Sequence, residues 1–299
     1  MNKSFTLIEI LVVIVIVGIL SAFIIVSMAG VSEKAAIAKG QAFSSSLKNS
    51  LMMNLVSEWN FEGPTMAGSN AVSSDVLDTW GNGDGNIESY GGNYPVVRSG
   101  KDCLSGKCLE FSGSGGSVMI TDSLINSITN KLTISFWVWF DVDLSWGPGL
   151  VWKGGYNYVV GHEGGGISFR AWNSSGTAST STIAASKIPL NKWHNIVASF
   201  DGSSRIYLNA VGESVGVSVG TIRDQAGNLY IGRRGDYSDN YFFNGKIDEV
   251  KLYNESIPSF RIEENYYSSL NKLLAKNGID SNEFNQRITE LKFNSANNE

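Results

Sequence analysis

The sequence predicts an α+β chain in three parts: a long N-terminal transmembrane helix, an all-β domain of two sheets, and a short C-terminal helical hairpin. Three observations predict it. An almost unbroken apolar run extends from Ile10 to Val26. From Val56 to Tyr253 the chain is rich in Gly, Ser, Asn and aromatics and breaks into short alternating runs between turn residues. After Ile257-Pro258 the composition becomes helical again.

The first helix follows from length. Leu7 to Met28 makes roughly 33 Å of helix at ~1.5 Å per residue, enough to cross a hydrocarbon core about 30 Å thick. An ordinary secretory signal is shorter and ends at a small-residue cleavage site. Here the far end runs on through Ser32, Glu33 and Lys34, so the apolar segment is retained. Lys3 precedes the span, which keeps that end cytoplasmic under the positive-inside bias. From Val31 to Met53 there is no Pro, and Phe43, Leu47, Leu51 and Leu55 recur at every fourth position on one helical face. The helix therefore continues outward and docks on its own domain. Gly30 and Gly40 each weaken it by up to about 1 kcal/mol relative to Ala.

Glu9 is the residue a plain anchor does not need. An ionised carboxylate in the bilayer costs about 2.5–3.5 kcal/mol on insertion scales, so it either finds a partner or snorkels to the interface. The string Lys3, Ser4, Phe5, Thr6, Leu7, Ile8, Glu9 before the apolar run resembles the type IV prepilin signal of pilins and pseudopilins. The resemblance implies that a prepilin peptidase cuts between Ser4 and Phe5 and methylates the new amine. It also implies that the Phe5 amine of one subunit pairs with Glu9 of a neighbour during filament assembly. Two departures stand out: Ser4 replaces the usual Gly, and the span lacks the Pro common in pilus-forming members, which keeps a pseudopilin open.

Composition excludes some partners. The net charge is -5 and no basic run exceeds two residues, which argues against a phosphate-binding surface and against nucleic acid as a partner. The only cysteines, Cys103 and Cys108, flank Gly106 at a turn. In an oxidising compartment they close a small disulfide loop; otherwise they are two free thiols.

Within residues 56–256 the expected strands are Val56–Phe61, Cys108–Phe111, Ser117–Ile120, Lys131–Phe140, Gly149–Lys153, Tyr156–Gly161, Gly166–Trp172, Trp193–Phe200, Arg205–Asn209, Asn228–Gly232 and Asn244–Tyr253. Their spacing suits one large sandwich or jelly roll. Thr133 to Phe140 is too continuously apolar for a one-sided edge strand, so it is central and covered on both faces or lies under a helix. Trp193, Val197 and Phe200 supply core bulk, Asp201-Gly202 supplies a hairpin turn, and a second turn follows near Asn209. The last strand should return beside the first, near Trp59 and Phe61.

The strings EWNFEGP (Glu58 to Pro64), DTWGNGDG (Asp78 to Gly85), CLEFSGSGGSVMI (Cys108 to Ile120), LTISFWVWF (Leu132 to Phe140), WHNIVASFDGSSRIYLNA (Trp193 to Ala210), LYIGRR (Leu229 to Arg234) and FNGKIDEVKLYNESI (Phe243 to Ile257) occur in order. Together they resemble the laminin G-like, concanavalin A-like lectin/glucanase jelly roll. Domains of that family often bind glycans, some through calcium at the rim, and others are structural. Asp78, Asn82 and Asp84, completed by Asp248 or Glu249, either wrap a Ca2+ ion or form a polar turn with Asx caps. Candidate sugar-stacking aromatics near Gly-rich turns are Trp146, Trp152, Tyr156, Trp172, Tyr237 and Tyr241, against a core role for most of them.

Other signals carry less. Arg234-Gly235-Asp236 is a tripeptide expected often by chance, and His162 with Glu163 and the lone His194 make no metal box. Gly161 to Gly166 lacks the strand–loop–helix context of a phosphate cradle. A glycosidase needs two carboxylates about 5 to 9.5 Å apart. Asp141 and Asp143 alternate as the glucanase relatives' pair does, yet they follow the strand into a loop with no third acid, so no catalytic residue and no enzyme activity is expected.

The tail, residues 257–299, reads as two helices broken at Asn277-Gly278, with Gly278 as C-cap and Ser281, Glu283 and Phe284 opening the second helix. Leu270, Leu273, Leu274, Ile279, Phe284, Ile288 and Leu291 form the seam. It resembles a short helix-pair motif thought to mediate oligomerisation at the ends of bacterial proteins; a pair docked on the sandwich is the alternative.

Five segments follow: a leader (1–4), a transmembrane and filament-core helix (5–29), its exposed half (30–55), the jelly roll (56–256) and the hairpin (257–299). The resemblances imply a type IV pilin-like subunit, minor or adhesive, whose partners are prepilin peptidase, other pilin subunits, the cytoplasmic membrane before assembly, and glycans or other surface ligands. They place it as a single-pass precursor and then in an extracellular pilus. A pseudopilin of a type II secretion or DNA-uptake system and a non-polymerising anchored glycan-binding protein are the alternatives.

Overall fold

Alternating apolar residues between glycine- and asparagine-rich turns fold the chain after Asn54 into a two-sheet sandwich. The computed structural model describes residues 8, 11–17, 54–121, 125, 127–142, 147–163, 165–235 and 241–297, with side chains to residue 294. The chain divides into two units, Met1–Met53 and Asn54–Glu299. In the first, residues 11–17 are helical with exposed apolar side chains. No helix among the described residues is long and apolar enough to cross a membrane. Most of the expected spanning helix and its outward continuation, including Gly30, Gly40, Phe43, Leu47 and Leu51, lies outside the described residues.

The second unit contains β1 (Leu55–Trp59), β2 (Gly85–Glu88), β3 (Val96–Ser99), β4 (Lys107–Ser112), β5 (Ser117–Ile120), β6 (Leu132–Phe140), β7 (Gly149–Lys153), β8 (Tyr158–Glu163), β9 (Gly166–Trp172), β10 (Ala178–Ala184), β11 (Trp193–Phe200), β12 (Ser204–Leu208), β13 (Val211–Val215), β14 (Leu229–Ile231) and β15 (Asn244–Tyr253), followed by α1 (Ser259–Ala275) and α2 (Ser281–Asn297). One sheet runs β13-β12-β11-β6-β15-β4-β3 with β1 also on β15; the other runs β10-β9-β8-β7-β14-β5-β2. The pairings are antiparallel, and Trp59 lies opposite Val250, so the last strand does return beside the first.

Period-two alternation explains the core. Phe136, Val138 and Phe140 of β6, with Ile196 and Ala198 of β11, belong to the same buried cluster as Val151, Val160, Phe169 and Ile231 of the opposing sheet. The outward residues of β6 are covered as well. Trp137 stacks on Tyr266 of α1 with ring centroids 5.6 Å apart, and Arg287 of α2 donates to the Trp193 carbonyl at 2.8 Å. β6 is thus central and under a helix, and its continuous apolar sequence follows from burial on both faces.

β2, β3, β10 and β13 were not expected from the sequence. Their sequences, GNIE, VVRS, ASTSTIA and VGESV, are short, small or polar. β10 holds its place through neighbours: the Ser179 hydroxyl donates to the Ser204 hydroxyl and accepts the Ser204 N–H. Two expected strand ends are corrected to turns. Tyr156 stands at φ 55 and precedes β8, and Asn209 at φ 51 with Ala210 at φ 68 closes a two-residue hairpin of the type I′ kind between β12 and β13.

The tail is a helical pair packed in the same unit. The residue in the left-handed conformation that ends α1 is Asn277 (φ 57), not Gly278. The N–H of Asn277 donates to the Leu274 carbonyl and that of Gly278 to the Leu273 carbonyl, a Schellman motif with Gly278 one position further out. Asp280 caps α2 by accepting the Glu283 N–H at 2.8 Å. Of the expected seam, Leu270, Leu273, Ile279 and Leu291 are buried, while Leu274, Phe284 and Ile288 are half-buried.

Candidate functional site

The turn from β7 to β8, Gly154 to Asn157, carries the candidate site. Gly155 and Tyr156 both take positive φ, 70 and 55. A bulky residue there costs about 1–2 kcal/mol and persists only where neighbours hold it. They do. The buried Asn157 amide donates to the carbonyls of Gly154 and Gln225, its Oδ1 accepts the Gln225 N–H at 3.0 Å, and the Gly154 N–H donates to the Asn228 carbonyl. Arg223 Nε donates to the Tyr156 carbonyl at 2.7 Å, and its guanidinium lies 5.5 Å from the centre of the Tyr156 ring. The ring is presented to solvent at 36% exposure.

Two tryptophans back it. Tyr156 meets Trp152 and Trp172 edge-on, each with centroids 5.7 Å apart, and Trp152 and Trp172 stand 6.3 Å apart. Arg170 lies 5.6 Å from the Trp172 ring and pairs with Glu163 at 2.5 Å, while Arg234 lies 4.8 Å from the Trp152 ring. Gly235 leaves the close approach open, since a Cβ there would collide with Tyr230. Trp152 is fully buried and its Nε1–H has no acceptor among the described residues. A fixed aromatic ring flanked by guanidinium forks can pack on the C–H face of a ring and donate hydrogen bonds to its oxygens.

The structure thus brings Tyr156 and Trp172 together. Trp152 is corrected from stacking surface to support, because it has no exposed area. Tyr241 sits elsewhere on the hairpin that returns from Arg234: its carbonyl accepts the Arg234 N–H at 3.2 Å and its ring packs on Gly147. Trp146, Tyr237, Asp143 and Asp236 lie outside the described residues. Arg223 and Arg170 escaped the sequence reading, since nothing in their spacing announces which aromatic they cover.

The expected calcium shell is not assembled. Asp78 Oδ1 accepts the N–H groups of Glu58, Trp80 and Gly81 at 2.8–3.0 Å, and Oδ2 accepts that of Gly83 at 3.0 Å. Burial alone raises its pKa, but the N–H groups of Gly81, Glu58 and Trp80 outweigh it and hold the carboxyl below its usual value. Asp84 Oδ1 accepts the Asp78 N–H, and Asn82 is exposed. Asp248 serves a different loop: Oδ2 accepts the N–H groups of Leu104 and Ser105, and Oδ1 that of Glu249. Burial, then the Glu249 charge, push its pKa well above the carboxylate range. No group of three or more His, Cys, Asp or Glu side chains among the described residues could hold a metal ion. Asp78 and Asp84 thus make the hydrogen bonds of a polar turn, and Asp248 those of a separate loop.

Cys103 and Cys108 are joined in a disulfide, S–S 2.07 Å, closing the loop that Asp248 anchors. His194 is a core residue: Nε2 lies 2.8 Å from the Pro189 carbonyl and Nδ1 3.3 Å from the Asn209 amide, and burial pushes its pKa down to about 4. His162 is buried against Phe140. Asp141 Oδ1 accepts the Trp139 indole N–H at 2.8 Å. The processing and assembly residues Ser4, Phe5 and Glu9 lie outside the described residues.

A family model described as the concanavalin A-like lectin/glucanases superfamily matches residues 112–262, half of the chain, and a prokaryotic N-terminal methylation motif matches residues 1–25. The motif implies prepilin-peptidase processing and a membrane-processed, surface-associated protein. Among solved structures, the binding domain of Paraclostridial Mosquitocidal Protein 1 is similar at a TM-score of 0.57 and 16% identity, over 74% of this chain and 53% of that one. Domain 4 of AbnA, an extracellular arabinanase from Geobacillus stearothermophilus, in complex with arabinotriose, gives 0.54 and 18%, over 71% and 97%. The receptor binding domain of botulinum neurotoxin mosaic serotype C/D gives 0.56 and 13%, over 74% and 52%. At these identities the likeness is one of fold, and the match spans about half the length of the toxin domains. No curated protein matches the sequence.

Proposed function

We propose, given that this chain belongs to the concanavalin A-like lectin/glucanases superfamily and opens with a prokaryotic N-terminal methylation motif, that it is a type IV pilin-like filament subunit with a glycan-binding head. The observation that carries the binding half is Tyr156, an exposed aromatic held at φ 55 by Arg223 and Asn157 beside Trp172. Unlike Asn209 and Asn277, which close a hairpin and a helix, a bulky aromatic in that conformation carries strain of the kind that clusters at ligand-binding surfaces. Support also comes from the similar arabinanase domain, whose structure contains arabinotriose. The head is read as binding without catalysis, in keeping with the use of Asp141 by Trp139. The filament half rests on the motif over residues 1–25 and on Glu9, a carboxylate that needs a cationic partner in the bilayer.

Two measurements test the reading. Surface appendages sheared from the producing cells should contain this chain beginning at an N-methylated Phe5, and Glu9→Ala should remove it from them while leaving it in the membrane. An intact Met1 terminus on a membrane-resident monomer, indifferent to that substitution, refutes the filament half. On a glycan array the full-length chain in detergent should retain ligands that Tyr156→Ala does not; equal retention by both refutes the binding half.

A further inference from the structure

The loop from Asp78 to Asp84 is held in place by hydrogen bonds within the domain. Four backbone N–H groups converge on the Asp78 carboxylate, the Trp59 indole donates to the Gly83 carbonyl at 2.8 Å, and a Cβ on Gly81 would collide with the Val56 carbonyl. This fixed backbone presents Trp80, 44% exposed, and Asn82 to solvent. Both line a cleft of about 490 Å³ whose lining includes Thr129, Asn130, Asn254 and Leu55. Its volume falls in the range of small-molecule sites, about 300–1,000 Å³, and its make-up is one aromatic face with a few polar groups.

Three of the polar side chains in the lining are asparagines, beside Ser127 and Thr129. The side-chain amides of Asn82, Asn130 and Asn254 have no hydrogen-bond partner among the described residues. Each offers a donor and an acceptor side by side, the pattern that two adjacent hydroxyls of a sugar satisfy. The one charged side chain in the lining is Lys131, which is paired with Glu255 at 2.6 Å. An uncharged ligand is therefore favoured.

The cleft and the Tyr156 turn share a strip of backbone. The Thr129 carbonyl accepts the Ile222 N–H at 2.8 Å, and the next N–H, of Arg223, donates to the Trp172 carbonyl at 2.8 Å. Arg223 is the residue that fixes Tyr156. We propose that the two form one rim for a neutral glycan chain, Tyr156 and Trp172 taking one unit and Trp80 with Asn82, Asn130 and Asn254 taking another. The ligand is then an internal stretch of a polysaccharide and not a terminal sugar. This rests on the glycan-binding reading of the head.

Affinity electrophoresis of the full-length chain in detergent through arabinan, xylan, mannan, mixed-linkage glucan and, as acidic polymers, polygalacturonate and alginate identifies a retaining polymer. Calorimetry with its oligosaccharides of one to six units then tests the rim. Affinity should rise with length, and Trp80→Ala should weaken the longest by about tenfold or more, as loss of a buried aromatic anchor does, while leaving the shortest unchanged; Trp80→Phe should restore most of it. If Trp80→Ala and Asn130→Ala bind the longest oligosaccharide like the parent while Tyr156→Ala does not, the rim is overturned and the head binds a single unit. Retention by acidic polymers alone overturns the neutral class. Should Trp80→Ala change incorporation into filaments but not glycan affinity, the cleft is a subunit contact and the proposal fails. No retention by any glycan removes the reading on which it rests.

Discussion

The carboxylate of Asp78 and the backbone of Trp80 form a closed turn: Oδ1 accepts the Trp80 N–H at 3.0 Å, and the same oxygen takes the N–H groups of Glu58 and Gly81. A motif whose acids suggest a cation is held instead by peptide donors, and its tryptophan faces out.

Replacing Asp78 tests that substitution of donors for metal. Asp78→Ala leaves four N–H groups without their acceptor, and unfolding should become easier by at least about 2 kcal/mol in urea titrations. Because the folded pKa is held below 3.8, the carboxylate's contribution is present above that value and lost as pH falls through the lowered one. Added calcium or chelator should leave the melting temperature of the parent unchanged; a calcium-dependent rise would restore the metal.

Tyr156→Gly separates strain from binding. Glycine accepts φ 55 without penalty, which relieves about 1–2 kcal/mol, while the edge contacts with Trp152 and Trp172 are lost. Stability should move by less than about 1 kcal/mol, because the two effects oppose each other. Glycan retention should disappear. A large fall in melting temperature would mean that the ring serves packing alone.

Cys103→Ser with Cys108→Ser opens a loop whose N–H groups at Leu104 and Ser105 still meet Asp248. For so short a loop the chain-entropy cost is about 2 kcal/mol. Reducing agent should lower the parent's melting temperature and leave the double variant unaffected.

His194 gives an acid limb to stability. Its folded pKa, pushed down to about 4 by burial, lies below the unfolded value of 6.5. The unfolded chain therefore binds the proton first, and stability falls as pH drops from 6.5 toward 4. The loss reaches about 3 kcal/mol only near and below pH 4, where the folded histidine takes up its proton as well. His194→Gln, which keeps a donor near Pro189, should flatten that limb in urea titrations between pH 7 and 4.

Much of the chain was legible from residue order alone, where the cause is local. Ser117–Ile120, Gly149–Lys153, Gly166–Trp172, Trp193–Phe200 and Asn244–Tyr253 are found with the bounds that alternation and flanking turns predict. The apolar excess of Leu132–Phe140 announced a strand buried on both faces, and the helix break at Asn277-Gly278 announced the hairpin. The leader string and the ordered β-domain strings pointed to the two families that match.

Tertiary structure decided the rest, because its causes lie far apart in sequence. β10 and β13 are strands through their partners, and their own small or polar residues do not announce it. Whether Asp78 and Asp248 bind a cation depends on which N–H groups the fold delivers to them, and donors as distant as Leu104 to Asp248 cannot be read from spacing. Tyr156 became a candidate site because Arg223, Trp152 and Trp172 were brought around one strained turn. Residue order sets what each side chain can do; the field of donors, rings and backbone around it sets what it does.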